Sequence, residues 1–320
     1  MKSISELTDF YYKKLHPVLE ELDKNRERVK KRVITIGIIY TLIAALLFFS
    51  LLDYMNIEFI VFSLVGYVAL GGILYRFLIS DYRDEFKEKV IRPLIEEIDS
   101  SFHYIPDLHV DVEYFNRSYL FPSPDRYSGN DLVKGKIDGV DLTFSDLHAE
   151  KEHRDSKGRR SYSTIFKGLF IISDFHKNFK GKTVVLPDTA QSTFGDLIGS
   201  FLQANNFSRS GDLVKMDSPE FEKEFVVYGS DQIEARYILT HTLMEKILHY
   251  RKHSGHPVYV SFRGRNIYMA IEYNKDLFEP SIFNSLLEYK IAMEYIKTLH
   301  LSIGIVEELK LNQKIWSKHG

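Results

Sequence analysis

Apolar positions change their spacing as the chain runs, and each change predicts a different element. Up to Arg32 they recur at helical intervals: Leu7, Phe10, Tyr11, Leu15, Val18, Leu19 and Leu22 share a face, and Ser3 and Glu6 have capping-box spacing. This predicts one amphipathic helix over 1–32, kinked at Pro17. Val33 to Leu52 is then twenty residues without a charge, about 30 Å as a helix. Phe59 to Tyr75 is a second uncharged run of seventeen residues. The stretch Asp53 to Glu58 between them has room only for a tight turn. Core helices of this length rarely lack a polar face, so the pattern predicts a transmembrane helical hairpin over 33–80, with spans 33–52 and 57–79. Residues 81–104 return to helical spacing as an amphipathic stalk helix. Leu15 to Asp23 lines up with Ile91 to Asp99, which is compatible with an antiparallel pairing of the two.

From Asp131 the spacing becomes that of strands. Lys134–Ile137 and Val140–Phe144 flank Asp138-Gly139, a type I′ hairpin signal, and the second strand can run on to Glu152. Tyr162–Phe175 and Thr183–Leu186 complete an expected meander of four antiparallel strands. Thr193–Ala204 reads as a helix and Leu213–Met216 as a short strand. Ser218-Pro219-Glu220 opens a brief helix. Asp231 and Glu234 open a long one through Tyr250, with Ile233, Tyr237, Ile238, Leu243 and Ile247 on its buried side. Val258–Phe262 and Ile267–Ile271 alternate as a second hairpin around Arg263–Asn266. After Pro280 the chain reads helical to near Trp316, bent or interrupted at Gly304. Residues 105–320 are thus expected to form one α+β domain with antiparallel sheet, without the βαβ alternation of a nucleotide-binding fold.

Charge decides orientation. Lys24, Arg26, Arg28, Lys30, Lys31 and Arg32 crowd the first span, the turn has no base, and Arg76, Arg83, Lys87 and Lys89 follow the second. Basic flanks stay cytoplasmic, so both termini are expected to face the cytosol, with the six-residue cluster against anionic lipid headgroups. No cleavable signal is evident, because the apolar run begins after thirty-two mostly polar residues. The overall net charge of −2 gives no electrostatic case for nucleic acid. The chain has no cysteine, which excludes disulfides, thiolate metal sites and cysteine nucleophiles.

Catalytic signatures are sparse. Gly181-Lys182-Thr183 has the tail of a phosphate-binding loop but lacks its upstream glycine and precedes a strand, so it reads as a turn. The best metal candidate is Glu245, His249 and His253, one helical turn apart on one face, although basic residues also favour the end of a helix. His148, Glu150 and Glu152 alternate along one strand face and suggest an ion or acid/base cluster; such rows are more often the solvated face of an edge strand. Asp174, His176 and Lys177 read as an ion network. No cofactor motif is present. Gly66, Ala69, Gly71 and Gly72 let helices approach closely, which fits a homo-oligomer.

One family likeness adds to this. Ser128-Gly129-Asn130-Asp131-Leu132-Val133-Lys134-Gly135, Phe166-Lys167-Gly168-Leu169-Phe170, Ser173-Asp174-Phe175-His176-Lys177, Glu220-Phe221-Glu222-Lys223-Glu224-Phe225, the stretch Asp231 to Thr240, Ser261-Phe262 and Phe278-Glu279-Pro280 carry it. Together with the two early spans, they make the chain resemble the bacterial membrane-protein family catalogued as domain of unknown function 3137, from about the hairpin to the C terminus. The resemblance implies a bacterial inner-membrane protein with a LemA-like membrane protein as a partner. It supplies no activity and no catalytic residues. The expected role is therefore a membrane-anchored binding or scaffold module for a protein or for lipid headgroups. The alternative is an anchored hydrolase or metal-dependent enzyme using the two His/Glu clusters.

Overall fold

The structure, a computed structural model, describes residues 2–52, 56–137, 139–188, 212–273 and 275–316, except the side chains of 175–177, 301 and 305–316. Two compact units divide the chain. A helical unit takes Ile4–Leu94 and Phe278–Ile296, and a sheet unit takes Ile95–Leu277 with both chain ends.

In the helical unit the expected single helix over 1–32 is two, α1 (Ile4–Lys13) and α2 (His16–Leu51). Pro17 stands in the first turn of α2, where its missing N–H costs nothing, so it starts a helix rather than kinking one. From there α2 runs unbroken into the first span. The second span lies in α3 (Ile57–Phe86), whose N-terminus is capped by the Asn56 side chain accepting the Phe59 N–H at 2.9 Å. Neither helix buries any residue of its most apolar window. Leu46, Phe49, Phe62 and Phe77 are 71–76% exposed, the reverse of a soluble core. Tyr40, Thr41 and Tyr67 of the apolar segments find hydrogen-bond partners within the hairpin. Tyr40 Oη donates to the Tyr67 carbonyl at 2.7 Å, the two rings stack 4.9 Å apart, and Thr41 Oγ1 lies 2.8 Å from Tyr67 Oη.

Away from the spans the same helices become a packed bundle. A π-helical turn (Lys87–Ile91) follows α3 and leads into α4 (Arg92–Ile98). Tyr11, Leu19 and Leu22 on one arm, Tyr82, Phe86, Val90, Ile91 and Leu94 on the other, and Phe278, Ile282, Leu286 and Ile296 of the returning segment are all buried. The two arms pack on each other, and Asn25 Nδ2 donates to Glu85 Oε2 at 2.9 Å across them.

Among the described residues the sheet unit holds seven strands, every pairing antiparallel, in the order β1-β2-β3-β4-β6-β5 with β7 also on β4. They are β1 (His103–Ile105), β2 (Arg126–Ile137), β3 (Val140–Arg154), β4 (Arg160–Pro187), β5 (Leu213–Val214), β6 (Phe225–Gly229) and β7 (Val258–Glu272). The chain is α+β, as its pattern predicts. Two details differ. The expected strands 162–175 and 183–186 are the two ends of one strand, β4, and the expected hairpin around 263–266 is the continuous strand β7. The turn-like sequences Lys180-Gly181-Lys182 and Arg263-Gly264-Arg265-Asn266 face each other, with Phe179 opposite Gly264 and Lys182 opposite Arg263. Both strands bend there together: extra β4 residues bulge out, and Gly264 takes φ +59°. Two turn signals therefore make one shared bend. Gly168 explains how β7 comes so close, since a Cβ there would sit 2.2 Å from the Ile271 carbonyl oxygen.

One face of the sheet packs on the short helix α5 (Val112–Arg117). Its Phe115 is fully buried, stacks on Phe121 at 5.4 Å, and touches the rings of Tyr127, Phe166 and Phe170. After the short helix α6 (Pro219–Glu222), the long helix expected over 231–250 is two, α7 (Gln232–Ile238) and α8 (His241–Ser254). Thr240 interrupts by capping α8, accepting the Leu243 N–H. The break rotates Ile233 and Tyr237 outward, 81% and 60% exposed, while Ile238, Leu243 and Ile247 stay buried. The expected helix 193–204 lies outside the described residues. The last helix, α9 (Tyr289–Trp316), has no break at Gly304.

Candidate functional site

Helical geometry sorts the six cations before the first span. Lys24, Arg28, Lys31 and Arg32 fall along one exposed side of α2. Arg26 points the other way and is 4% exposed. Its Nε lies 2.8 Å from Asp23 Oδ1, its Nη2 2.6 Å from Glu27 Oε1, and its Nη1 donates to the Ile282 carbonyl at 2.9 Å. Arg26 is thus a structural residue of the helical unit, and its place in the headgroup cluster is corrected. Lys30 is half-buried, 3.8 Å from Glu27. Asp23 also accepts Ser285 Oγ at 2.9 Å and the Leu286 N–H at 3.2 Å. Burial pushes its carboxyl up, but the hydrogen bonds from Arg26 and Ser285 outweigh this and hold it below the usual carboxylate range.

The histidine clusters do not converge. On α8, Glu245 pairs back to His241 at 3.3 Å. His249 and His253 are exposed, with rings 3.9 Å apart, and His253 Nδ1 lies 3.2 Å from the His249 carbonyl oxygen. Among the described residues no group of three or more His, Asp or Glu side chains is placed to hold a metal, so the expected Glu245, His249 and His253 set is not a formed site. Eight residues of helix, about 12 Å of rise, spread it too far. On β3, His148 Nε2 sits 4.0 Å from Glu150 Oε1 and 3.0 Å from Thr164 Oγ1. Glu152 is drawn away by Arg154 at 2.7 Å and the Tyr162 hydroxyl at 2.9 Å. Asp174 pairs with Arg265 at 3.5 Å, and the side chains of His176 and Lys177 lie outside the description.

Sequence reasoning missed a buried acid pair. Asp146 lies on β3 two residues after Phe144, and that inward parity was the available signal. Its Oδ2 accepts the Leu277 N–H at 2.9 Å, and its Oδ1 is buried with no hydrogen-bond partner. Burial, with Asp131 and Asp276 nearby, pushes its carboxyl up to about 7. Asp131, fully buried at φ +60°, accepts a hydrogen bond from the Tyr104 hydroxyl. The hairpin also carries an open apolar groove of about 720 Å³, walled by Ala44, Leu47, Phe48, Ile60, Leu64 and Tyr67.

Fold and surface define an α+β protein with two helices long and apolar enough to cross a membrane and an exposed cationic stripe beside the first. Residues 164–311, from within β4 to within α9, match the model of a protein family of unknown function, DUF3137. The match is narrower than the resemblance in the sequence, and the Ser128–Gly135 motif falls outside it. Among solved structures the chain is similar to the crystal structure of the mycobacterial trehalose monomycolate transport factor A, TtfA. That similarity has 9% identity and a TM-score of 0.34, over 66% of this chain and 91% of that one. No curated protein matches.

Proposed function

We propose that the chain is a membrane-anchored binding module of a bacterial inner membrane. Both ends and the sheet unit face the cytosol in this reading, and Lys24, Arg28, Lys31 and Arg32 hold anionic lipid headgroups. The observation that carries it is the continuity of α2: four exposed cations on one side of a helix lead directly into an apolar span with no buried residue in its core window. A cation near an anionic leaflet contributes about 1 kcal/mol, so the four together favour one lipid composition strongly. The partners that go with this reading are a LemA-like membrane protein, engaged by the sheet unit, and a second copy of the chain.

The test is native mass spectrometry of the full chain released from nanodiscs of mixed phosphatidylcholine and phosphatidylglycerol. The wild type should retain phosphatidylglycerol preferentially, and replacing Lys24, Arg28, Lys31 and Arg32 by glutamine should abolish the preference. Equal retention of both lipids by the two proteins would sink the headgroup assignment. A co-purifying protein in the same spectra would name the partner.

A further inference from the structure

The bend shared by β4 and β7 gathers charge in a way that packing does not require. Lys182 and Arg263 are register partners across the two strands, so their side chains leave the same face of the sheet. Like charges directly opposite one another destabilise a strand pair. Here both end over one aromatic ring: the Arg263 guanidinium carbon lies 3.8 Å from the centroid of Tyr119, and Lys182 Nζ lies 4.8 Å from it. Arg263 Nη1 also reaches the Arg117 carbonyl at 3.4 Å.

Tyr119 is presented by a backbone that a bulky residue rarely adopts, at φ +55°. Ser118 just before it is fully buried; its hydroxyl donates to the Phe115 carbonyl at 2.6 Å and accepts the Leu120 N–H at 3.2 Å, which fixes the turn. Non-glycine residues held in this region collect where a side chain has been placed for a purpose. Burial and the neighbouring Arg263 charge lower the Lys182 pKa, and Asp212 offsets them only in part.

We propose that Lys182, Arg263 and the ring of Tyr119 form a binding site for a phosphate-bearing anion, either a soluble phosphate ester or a phospholipid headgroup. The guanidinium supplies a two-pronged fork to phosphate oxygens, the ammonium supplies a compact charge beside it, and the ring fixes the spacing of the two. This is not a phosphate-binding loop, since Gly181-Lys182-Thr183 lies within a strand and opens no helix. The site belongs to the sheet unit alone and stands or falls independently of the cations on α2.

The experiment uses the full chain in phosphatidylcholine nanodiscs at constant ionic strength. Inorganic phosphate and glycerol phosphate are titrated by calorimetry, and retained phosphatidylglycerol is counted in parallel discs that contain it. Arg263→Ala and Lys182→Ala should each weaken binding about tenfold or more, and Arg263→Lys should restore only part. Tyr119→Gly relieves the backbone, so it should leave the melting temperature unchanged or higher while binding still falls. Saturable phosphate binding that depends on these residues identifies a soluble ester. Absent that, loss of phosphatidylglycerol retention in Arg263→Ala identifies a headgroup. If neither ligand binds, or if binding ignores substitution at all three residues, the proposal is overturned.

Discussion

Asp146 is a carboxyl that the fold prefers neutral. Its pKa is about 7 when folded against an ordinary value of 3.8, so the charged form is penalised only in the native state. Stability from this group is intact below pH ~4 and is lost as pH rises toward 7, a difference on the order of 4 kcal/mol. Asp146→Asn keeps an acceptor for the Leu277 N–H and removes the titration. The variant should melt higher than wild type at pH 8 and show no such advantage at pH 4, as read by thermal unfolding. A wild type whose melting temperature rises from pH 4 to 8 while the variant's stays flat would contradict this. The sequence carries part of this scale. Parity along β3 places Asp146 inward, and helical spacing separates Arg26 from Lys24, Arg28, Lys31 and Arg32. The partners of those residues, Leu277 and Ile282, come from more than a hundred residues downstream, and nothing local announces them.

At the scale of elements, the returning segment Phe278–Ile296 is held in the helical unit by its buried apolar residues and by a polar tie at Asp23. That carboxylate collects Arg26, Ser285 Oγ and the Leu286 N–H, with its side chain 19% exposed and that of Arg26 5%. Asp23→Ala should cost about 3–5 kcal/mol, because it strips a buried guanidinium of its best-aligned carboxylate. Proteolysis should then cut first within 278–296; a cleavage pattern identical to wild type would count against this role. The kinds of element were legible: two long apolar helices, a strand-rich middle, and helices at both ends. Their boundaries were less so. Glycine and charge at 180–182 and 263–266 read as turns because a bend and a turn need the same residues, and only strand pairing distinguishes them. Thr240 broke a helix that hydrophobic spacing alone runs through.

For the whole molecule, sidedness is the decisive quantity. A cysteine-free chain is well suited to single-cysteine labelling. In inverted inner-membrane vesicles, whose outer surface is the former cytosolic face, Lys157→Cys at the exposed β3–β4 tip should react with a membrane-impermeant maleimide. Asn56→Cys, at the start of α3, should react only after detergent is added. The opposite pattern would place the sheet unit outside the cytosol and undo the orientation. The apolar runs made the two long apolar helices readable from sequence, since length and the absence of charge suffice. The cations before the first apolar run were readable from sequence, but the phosphate site proposed at the β4–β7 bend was not: Gly181-Lys182-Thr183 read as a turn, and Tyr119 beneath two cations depends on a backbone angle and a strand register that no local pattern encodes.

The length of β4 also sets a timetable. Its first half can pair with β3 as soon as it is made, but Gly168 meets Glu272, 104 residues later in the chain. At a synthesis rate of ~5–20 residues per second, one edge of β4 stays open for roughly 5–20 s on every ribosome. An open strand edge invites pairing with a neighbouring chain. Both apolar helices are made before β4, so in the anchored reading the nascent chain is already moored to the bilayer while that edge waits. The membrane segment would then act during synthesis as well as after it, keeping half-made copies apart until β7 arrives.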